Sequence, residues 1–382
     1  MKIAHLTTVD LSLRYLLLPQ LEAARDIGES IGISAPGIYV VELEERGIRH
    51  IPLASSTRGA DPLADLRAAI ELWRVLRREK VDVLHTHNPK PGVYGRILGR
   101  LAGVPIVVNT VHGLYATEDS HWLKRAVVYA LEWVASKFSD AELIQNPEDF
   151  DLLANRRIVR RDKLKLLGNG VDLEKFHHSA QAEAEVRSEL GVRDDQILVG
   201  LVARLVEEKG VPELVEAAMS LDDRYVVAIA GPRDRDKADG VSDELIEKGE
   251  EAGVRFLGMR ADADRLYSGL DMFVLPSHRE GFPRAAMEAA ATGVPVIATD
   301  IRGCRQVVDD GVSGILFPVG DVSALIAAIE RIGSDPVLRE SMGRASEERA
   351  AQHFNEDKVV EIVMETYGEA ARRKGLGWPG SG

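Results

Sequence analysis

Residues 271–300 constrain the fold of this chain more than any other stretch. They read as a buried strand at Met272–Leu275, a turn rich in glycine and proline, a helix of small residues at about 284–291 and a second buried strand at 294–298. Continuous apolar strands joined through a helix are typical of parallel sheets that are covered on both faces. The stretch therefore predicts an α/β architecture.

Two carboxylates bracket the start of this helix, Glu280 and Glu288, with Gly281 and Pro283 between them. Glycine lets the backbone approach a ligand closely, proline pre-sets the first helical turn, and free N–H groups at a helix start favour an anion. Carboxylates would repel a phosphate, so these two are better suited to accept hydrogen bonds from hydroxyl groups. Hydroxyls beside a phosphate indicate a nucleotide sugar.

The same alternation of strand and helix runs along the chain. Strands are predicted at 2–7, 30–34, 50–53, 81–85, 106–111 and 141–145, and again at 197–203, 225–230, 254–257, 272–275, 294–298 and 315–317, with a loop at 8–14. A chain of 382 residues is longer than one core usually supports. We expect two doubly wound, Rossmann-like domains, 1–175 and 176–355, with a last helix at about 356–374 packing back on the first.

Composition narrows the class of protein. Hydrophobic residues at 45% and charged residues at 29% describe a soluble globular chain, and the first residues turn polar too soon for a secretory signal. The net charge of -13 argues against nucleic-acid binding. Cys304 is the single cysteine, so an internal disulfide is excluded and a reducing cytoplasm is expected.

Ligands of open α/β sheets bind beyond the carboxyl ends of the strands, so we expect the site in a deep cleft between the two domains. Arg204 follows a predicted strand and Lys209 precedes the next helix. Such a pair could hold a diphosphate, arginine as a planar fork and lysine as a point charge. Two solvated surface cations are the alternative interpretation of this segment alone.

Four motifs, one of which consists of two segments, carry a resemblance to a known family. In chain order they are HTHNPKPGVYGRILGRLAGVPIVVNTVHG, LLGNGVDLEKF, Arg204 to Gly210 paired with EGFPRAAMEAAATGVPVIATD, and DDGVSGILFPVGD. Together they resemble the retaining glycosyltransferases of family 4, which have the GT-B fold. Two shorter segments are most similar to those of bacterial enzymes that build capsule or exopolysaccharide repeat units, REGFPR and DIRGCRQ.

The resemblance implies transfer of a hexose or N-acetylhexosamine from a nucleotide-diphosphate sugar, with a UDP-sugar favoured. Arg204 and Lys209 would stabilise the departing diphosphate, Glu280 would bind the transferred sugar, and Glu288 would bind the ribose. The other donor-binding positions that the resemblance implies in the second domain are Gly281, Phe282, Arg284, Ala285, Met259 and Arg260. No metal and no other cofactor is expected, because two cations replace a metal.

The first domain would bind the acceptor, a saccharide or a polyprenyl-diphosphate-linked intermediate. His112 matches the family's histidine near the donor phosphate and sugar, and the acceptor positions are Asp10, Arg14, Asn88 and Lys90. Two departures stand out. A glycine pair common after the first strand is replaced by Asp10-Leu11-Ser12, and a common acidic position is Gln306, which we do not expect to be catalytic.

Other polar clusters have two interpretations each. Asp262-Ala263-Asp264 fits the Asp-x-Asp pattern of metal-dependent transferases, but its position at a helix start favours a capping role. His85 and His87 alternate after a strand; without a third ligand nearby in sequence, packing or acceptor contact is favoured over metal binding.

The segment 121–138 carries Trp122, Leu123, Val127, Leu131 and Trp133 beside lysines and an arginine. Core packing is the first interpretation, and a face that dips into a bilayer is the second. Arg156, Arg157, Arg160, Arg161, Lys163 and Lys165 form a basic cluster, either a solvated face or a patch for anionic lipid. Peripheral contact with the inner face of the cell membrane is therefore a hypothesis.

Two other functions fit the same residues. A nucleotide-sugar epimerase of the same architecture would convert its substrate without an acceptor. A non-catalytic subunit would bind the nucleotide sugar and activate a partner transferase, although the presence of Arg204, Lys209, Glu280 and Glu288 together disfavours it.

Overall fold

The computed structural model describes residues 1–57, 59, 61–87, 89–116, 120–233 and 239–379. The chain divides into two compact units. The first contains Met1–Gly168 and Asp357–Gly382, and the second contains Asn169–Glu356. The first unit is therefore completed by a segment from the far end of the chain, and the crossing between units lies at 168/169, before the boundary expected at 175/176.

The first unit is built on a parallel sheet. Its strands in the described part of the chain are β1 Lys2–Val9, β2 Glu29–Ala35, β3 Arg49–Pro52, β4 Val83–Thr86, β5 Ile106–Val111, β6 Ala141–Ile144 and β7 Leu164–Leu166. Their order is β3-β2-β1-β4-β5-β6-β7, with every pairing parallel. The order reverses between β1 and β4, which makes their carboxyl ends the topological switch point.

Seven helices connect these strands where the structure describes them. They are α1 Asp10–Leu16, α2 Leu18–Ile27, α3 Val40–Glu45, α4 Pro62–Glu79, α5 Pro89–Leu101, α6 Trp122–Ala135 and α7 Pro147–Asn155. The expected loop at 8–14 is wrong, because β1 extends to Val9 and α1 begins at Asp10. An acidic residue in the first turn favours that start, since it complements the helix dipole.

The second unit repeats the architecture with a second parallel sheet. Its strands are β8 Ile197–Val202, β9 Tyr225–Ala230, β10 Arg255–Gly258, β11 Met272–Leu275, β12 Val296–Thr299 and β13 Gly314–Phe317. In the described residues their order is β10-β9-β8-β11-β12-β13, so the switch point lies between β8 and β11. The two doubly wound sheets confirm the predicted fold class.

The helices of the second unit flank this sheet. They are α8 Ala180–Glu189, α9 Val211–Ser220, α10 Asp243–Glu251, α11 Ala263–Ser268, α12 Arg284–Ala291, α13 Arg302–Val307, α14 Val322–Ser334 and α15 Pro336–His353, followed by α16 Glu356–Arg373. Most of α16 belongs to the first unit, where Val363 and Tyr367 are buried with Ile3, Val83 and Val108. This helix covers one face of the first sheet near the centre.

Candidate functional site

The switch point of the second sheet gathers the polar residues predicted from the sequence. Arg204 lies two residues beyond β8, and Lys209 ends a short 3-10 turn at Glu207–Lys209. Glu280 lies in the segment between β11 and α12, and Glu288 lies on α12 itself. Because β8 and β11 are neighbours in the sheet, both segments leave it at the same edge.

Lys209 and Glu280 meet at this edge. The Lys209 ammonium Nζ lies 2.5 Å from Glu280 Oε1, and Ser277 donates its hydroxyl to the same oxygen at 2.9 Å. The two charged side chains are only 19% and 10% exposed. A charge-assisted bond in such a partly buried place fixes the position of both groups. The arrangement presents one cation and one carboxylate side by side.

Gly210 makes this approach possible. Its φ is +71°, in the left-handed region, and a Cβ built on it would lie 2.1 Å from the carbonyl oxygen of Pro276. A side chain there would both strain the backbone and collide with the segment that follows β11. Glycine therefore lets the turn that carries Lys209 lie against the segment that carries Glu280.

Glu288 is held by two partners. Tyr267 donates its hydroxyl to Oε2 at 3.0 Å, and Arg284 donates Nε to Oε1 at 3.0 Å across one helical turn. Burial raises the pKa of the Glu288 carboxyl, while Arg284 and the Tyr267 hydroxyl oppose that rise. Each carboxylate oxygen has two lone pairs, so the group keeps acceptor capacity for further hydroxyls.

The start of α12 lies between these carboxylates. The helix follows Pro283, which offers no capping side chain to the first amides of the helix. Gly281, Phe282, Arg284 and Ala285 are all half-buried around it. The guanidinium of Arg284 lies 3.0 Å from Glu288 and 3.4 Å from Glu356, so it is an ion-pair centre as well as a candidate donor-binding residue.

Met259 and Arg260 follow β10. Met259 is exposed, whereas the Arg260 guanidinium donates to both oxygens of Asp262 at 2.9 and 2.7 Å and also pairs with Glu189. Asp262 is the residue before α11, but its side chain makes no capping hydrogen bond. The capping role expected for this residue is therefore wrong, because Arg260 occupies its carboxylate.

Four neighbouring strands of the first sheet bring polar residues together. His5 lies in β1, His87 follows β4, His112 follows β5 and Gln145 follows β6. His87 Nδ1 lies 3.1 Å from His112 Nε2, and His112 Nδ1 lies 3.2 Å from Gln145 Oε1. Burial lowers the pKa of His112 to about 4, so its ring is neutral at physiological pH.

The expected acceptor residues are separately engaged. Asp10 is buried and accepts hydrogen bonds from the backbone amides of Leu11 at 2.9 Å and Tyr39 at 2.8 Å. Arg14 pairs with Glu42 at 2.6 Å, and Lys90 pairs with Asp65 at 2.7 Å. Asn88 lies outside the described residues. Asp10 thus joins the start of α1 to the residue before α3, while Arg14 and Lys90 are fixed by carboxylates.

Several residues of these networks were not predicted. Tyr267 donates a hydrogen bond to Glu288, and Ser277 donates one to Glu280. His5 is hydrogen-bonded to His87, and the Tyr367 hydroxyl is hydrogen-bonded to His5. The third histidine near His85 and His87 is His5, which sits opposite His85 in the β1–β4 register. The parallel pairing of β1 with β4 brings His5 beside His85, and the alternation of strands in the sequence is the signal for that pairing. His85 itself lies inside β4 and is fully buried, rather than beyond a strand.

The helix α6 does not pack its apolar residues in the core. Trp122, Leu123, Val127, Leu131 and Trp133 are each between 46% and 65% exposed, so the core-packing interpretation is wrong. The inward position belongs to Glu132, which pairs with the fully buried Arg96 at 2.7 Å. Within the described residues, no helix is both long and apolar enough to cross a bilayer.

Arg160, Lys163 and Lys165 of the basic cluster at 156–165 have partners within the protein. Lys163 donates to the carbonyls of Ser136 and Ser139, Lys165 pairs with Glu369 at 2.8 Å, and Arg160 pairs with Asp162 at 2.8 Å. The ion pairs of Arg160 and Lys165 offset part of the positive charge of this cluster.

Comparison with known proteins agrees with this architecture. The family described as "Glycosyl transferase 4-like domain" matches residues 28–170, and the family "Glycosyl transferases group 1" matches residues 182–349. The solved structure of Anabaena Alr3699/HepE in complex with UDP and glucose superposes with a TM-score of 0.82 at 22% identity, covering 97% of this chain and 100% of that one. At that identity the likeness shows the fold.

Curated relatives share more sequence. A UDP-Gal:alpha-D-GlcNAc-diphosphoundecaprenol alpha-1,3-galactosyltransferase of Escherichia coli is 32% identical over 319 residues, 81% of each chain. The capsular polysaccharide biosynthesis glycosyltransferase CapM of Staphylococcus aureus is 27% identical over 375 residues, 96% of each chain. The chain therefore belongs to the group 1 glycosyltransferases, with a glycosyltransferase 4-like domain at its N-terminal end, and is a transferase of the GT-B fold.

Proposed function

We propose that this chain transfers a hexose or N-acetylhexosamine from a UDP-sugar to a hydroxyl of a lipid-linked saccharide during polysaccharide biosynthesis, with retention at the anomeric carbon. The observation that carries the proposal is the close pair of Lys209 and Glu280 at the switch point of the second sheet. The relatives' names support both the donor and the acceptor class, since the Escherichia coli protein is named for UDP-galactose and a diphosphoundecaprenol acceptor.

The pair supplies two complementary functions. The Lys209 ammonium can neutralise charge that develops on the departing diphosphate, together with the half-buried Arg204 nearby in the chain. The Glu280 carboxylate can accept hydrogen bonds from hydroxyls of the transferred sugar. Glu288, already oriented by Tyr267 and Arg284, keeps lone pairs for the ribose hydroxyls.

In the proposed reaction, the bond between the anomeric carbon and the diphosphate oxygen breaks as the acceptor oxygen forms its bond on the same face. The proton of the acceptor hydroxyl passes to the departing phosphate oxygen. Both glutamates are committed to hydroxyls, so the proposal uses no covalent intermediate on the protein. In this proposal His112 is a neutral group that would contact the phosphate or the sugar of the donor, as the family resemblance implies.

We propose further that no metal takes part. The Asp-x-Asp carboxylates already face cations, since Asp262 is bound by Arg260 and Asp264 lies 3.8 Å from Lys175. Two cations at the diphosphate would supply the charge that a divalent ion supplies elsewhere. Activity should therefore survive exhaustive treatment with a chelator.

A donor screen followed by a product assay tests the reaction. A bound donor stabilises the protein by mass action, so UDP-, GDP- and ADP-sugars can be ranked by thermal shift. The best donor is then incubated with lipid-linked saccharide acceptors, and release of UDP and the anomeric coupling of the product are followed by NMR. Conversion of the donor sugar without acceptor would establish the epimerase instead, and tight binding without turnover would favour the activator subunit.

We propose that the first unit rests on a membrane through α6 and α4. The helix α4 adds a second stripe of exposed apolar residues, which consists of Leu63, Leu66, Ile70 and Trp73. Lys137 lies 3.8 Å from the Trp133 ring centre and Arg77 lies 5.9 Å from that of Trp73. Apolar and aromatic residues with a cationic rim are typical of helices that lie in the bilayer interface. A lipid-linked acceptor would be reached there, at the inner face of the cell membrane.

Flotation with liposomes tests this contact. The wild-type chain should float with vesicles that contain anionic lipid, and Leu123→Glu together with Trp133→Glu should abolish flotation. Met219→Glu is the matched control, because Met219 is a similarly exposed apolar residue on a helix of the second unit. Equal flotation of both variants would refute the assignment to α6.

A further inference from the structure

A continuous chain of hydrogen bonds runs through the interior of the first unit to His112. His5 Nδ1 lies 3.1 Å from His87 Nε2, and His87 Nδ1 lies 3.1 Å from His112 Nε2. The chain ends at Gln145, whose Oε1 lies 3.2 Å from His112 Nδ1. At its other end, the Tyr367 hydroxyl of α16 lies 3.4 Å from His5 Nε2. His5 and His87 are 0% and 1% exposed.

With Gln145 Oε1 facing His112, the direction of every hydrogen bond in this chain follows. Gln145 Oε1 can only accept, so His112 carries its hydrogen on Nδ1 and accepts at Nε2. The nitrogen that donates to it is His87 Nδ1, so His87 accepts at Nε2 from His5 Nδ1. His5 then accepts at Nε2 from the Tyr367 hydroxyl. Each donor meets an acceptor, and all three rings take the same tautomer.

The hydrogen-bonded network continues beyond Tyr367 to His85 and Thr110. His85 Nδ1 lies 2.6 Å from the Tyr367 oxygen, and His85 Nε2 lies 2.7 Å from the hydroxyl of Thr110. With Thr110 donating to His85 and His85 donating to Tyr367, the tyrosine hydroxyl hydrogen is directed at His5. A single assignment of hydrogens thus satisfies four histidines, a tyrosine and a threonine.

Neutral rings are a condition for such a chain. Burial lowers the pKa of His5 to about 3 and that of His112 to about 4, and it holds the pKa values of His85 and His87 well below their ordinary range. Each ring therefore carries one hydrogen at physiological pH, and hydrogen bonding decides which nitrogen holds it.

The same residues also form a possible metal-binding cluster. Nitrogen atoms of His5, His85 and His87 lie within 4.8 Å of one another. Their ring nitrogens are, however, already joined to Tyr367, Thr110, His112 and each other. A metal ion would have to break several of these bonds in a place without solvent exposure, so hydrogen bonding accounts for the cluster better.

We propose that His87, His5 and Tyr367 are positioning residues that hold His112 in one orientation with its hydrogen on Nδ1. The inference rests on the proposed function, in which His112 contacts the donor. Both ring nitrogens of His112 are hydrogen-bonded within the protein, to His87 and Gln145. The ring therefore provides a polar surface in a fixed orientation and does not carry the acceptor proton. The contribution of His112 to the reaction depends on the orientation of its ring. The helix α16 helps to fix that orientation, because Tyr367 is hydrogen-bonded to His5.

Four variants test the proposal. His87→Leu removes the donor to His112, whereas His87→Asn keeps an N–H group near the position of Nδ1. Tyr367→Phe removes only the hydroxyl that directs His5. Thr366→Val is the matched control, because Thr366 is also buried on α16 but bonds only to the Ile362 carbonyl of its own helix.

Nitrogen NMR of histidine-labelled protein reads the tautomer directly and needs no turnover, so it separates this proposal from the proposed function. Wild type and His87→Asn should show His112 hydrogenated on Nδ1, and His87→Leu should show a mixture of tautomers. The kcat of His87→Leu should fall about 10–100-fold with little change in the KM of the donor, as expected for a misplaced group. His87→Asn should recover most of that loss, and Tyr367→Phe should show a smaller one.

Four results would overturn the proposal. They are a wild-type His112 that is hydrogenated on Nε2, a stoichiometric metal ion in the purified protein, an equal kcat loss in Thr366→Val, and no rescue by His87→Asn. If His87→Leu does not fold, the wild-type spectrum and Tyr367→Phe still decide the matter, because neither changes the size of a core side chain appreciably.

Discussion

Replacing Lys209 with methionine should lower both stability and turnover, by separable amounts. The ammonium lies 2.5 Å from Glu280, with side chains 19% and 10% exposed, so methionine leaves a largely buried carboxylate whose remaining partner among the described residues is Ser277. Bonds to charged groups contribute ~1.5–3 kcal/mol. In a unit of this size, 1 kcal/mol moves Tm by ~2–4 °C, which predicts a loss of about 3–12 °C.

Turnover should fall further than stability explains. Removing one charge-assisted contact from the transition state costs ~3 kcal/mol, about a hundredfold in kcat. UDP release at saturating donor measures kcat, and thermal unfolding without donor measures Tm. Lys248→Met is the matched control: Lys248 pairs with Glu244 at 2.9 Å on an exposed helix face, where such a pair contributes little to either quantity.

The double variant Lys209→Met with Glu280→Gln tests the coupling. It should be more stable than Lys209→Met alone, because no unpaired carboxylate remains, and the two Tm losses should not add. If Lys209→Met loses Tm but turns over at the wild-type rate, the lysine only holds Glu280 and the proposed role at the diphosphate is refuted. Additive Tm losses would contradict the ion pair itself.

Three further predictions concern other parts of the molecule. Glu288→Gln should weaken UDP binding about 10–100-fold by calorimetry, since it removes a charged acceptor. Because burial raises the pKa of Glu288, the affinity of the wild-type chain for UDP should decrease as the pH is lowered, beginning at pH values above the ordinary range of a glutamate. An affinity that does not change with pH would contradict this. As the pH is lowered, the buried histidines gain protons in the unfolded chain before they do so in the folded one. Their contribution to the unfolding free energy should therefore be fully present above about pH 6.5 and decrease between there and the lowered pKa values, about 3 for His5 and about 4 for His112. Denaturant titrations at pH 5 should show a loss of ~2 kcal/mol for each histidine, and no loss would show that these rings can become charged in the folded protein. Gly210→Ala should lower the Tm of the second unit, because it strains a left-handed backbone and places Cβ against Pro276, and an unchanged Tm would show that the turn adapts.

Much of the fold follows from local sequence. The strand at Met272–Leu275 and the helix that begins at Arg284 are marked by apolar runs, a proline and small residues, and the structure places both where they are predicted. Boundaries are less certain, as α1 shows, because one polar stretch between apolar segments can be either loop or short helix. The short β7 was not predicted, since three residues give too little pattern.

The candidate site is only half visible in the sequence. Lys209 and Glu280 are recognised as polar residues after strands, yet their direct contact depends on the close approach that Gly210 allows across 71 residues of chain. Tyr367 is further away, 282 residues from its partner His85, and reads simply as an apolar residue of an amphipathic helix. Such contacts depend on the tertiary fold, and a single sequence does not record them.

The helix α6 shows the opposite error. Its apolar residues suggest a core position, but the buried Arg96 turns Glu132 inward and leaves the apolar residues outside. Arg96 pairs with both Glu132 and the buried Glu142, so an ion-pair network, and not the apolar residues of α6, faces the interior of the unit.

The late return of the chain to its first unit has a consequence for synthesis in the cell. Ile3, Val83 and Val108 pack against Val363 and Tyr367 of α16, which are synthesised after the second unit. Until then, a ribosome-bound chain carries a finished set of strands with one apolar face uncovered, while residues 169–356 can already form their own core. We therefore expect the nascent first unit to stay incomplete, with exposed apolar surface, until the second unit has been translated. Truncation before α16 should accordingly yield an aggregating fragment rather than a smaller working domain.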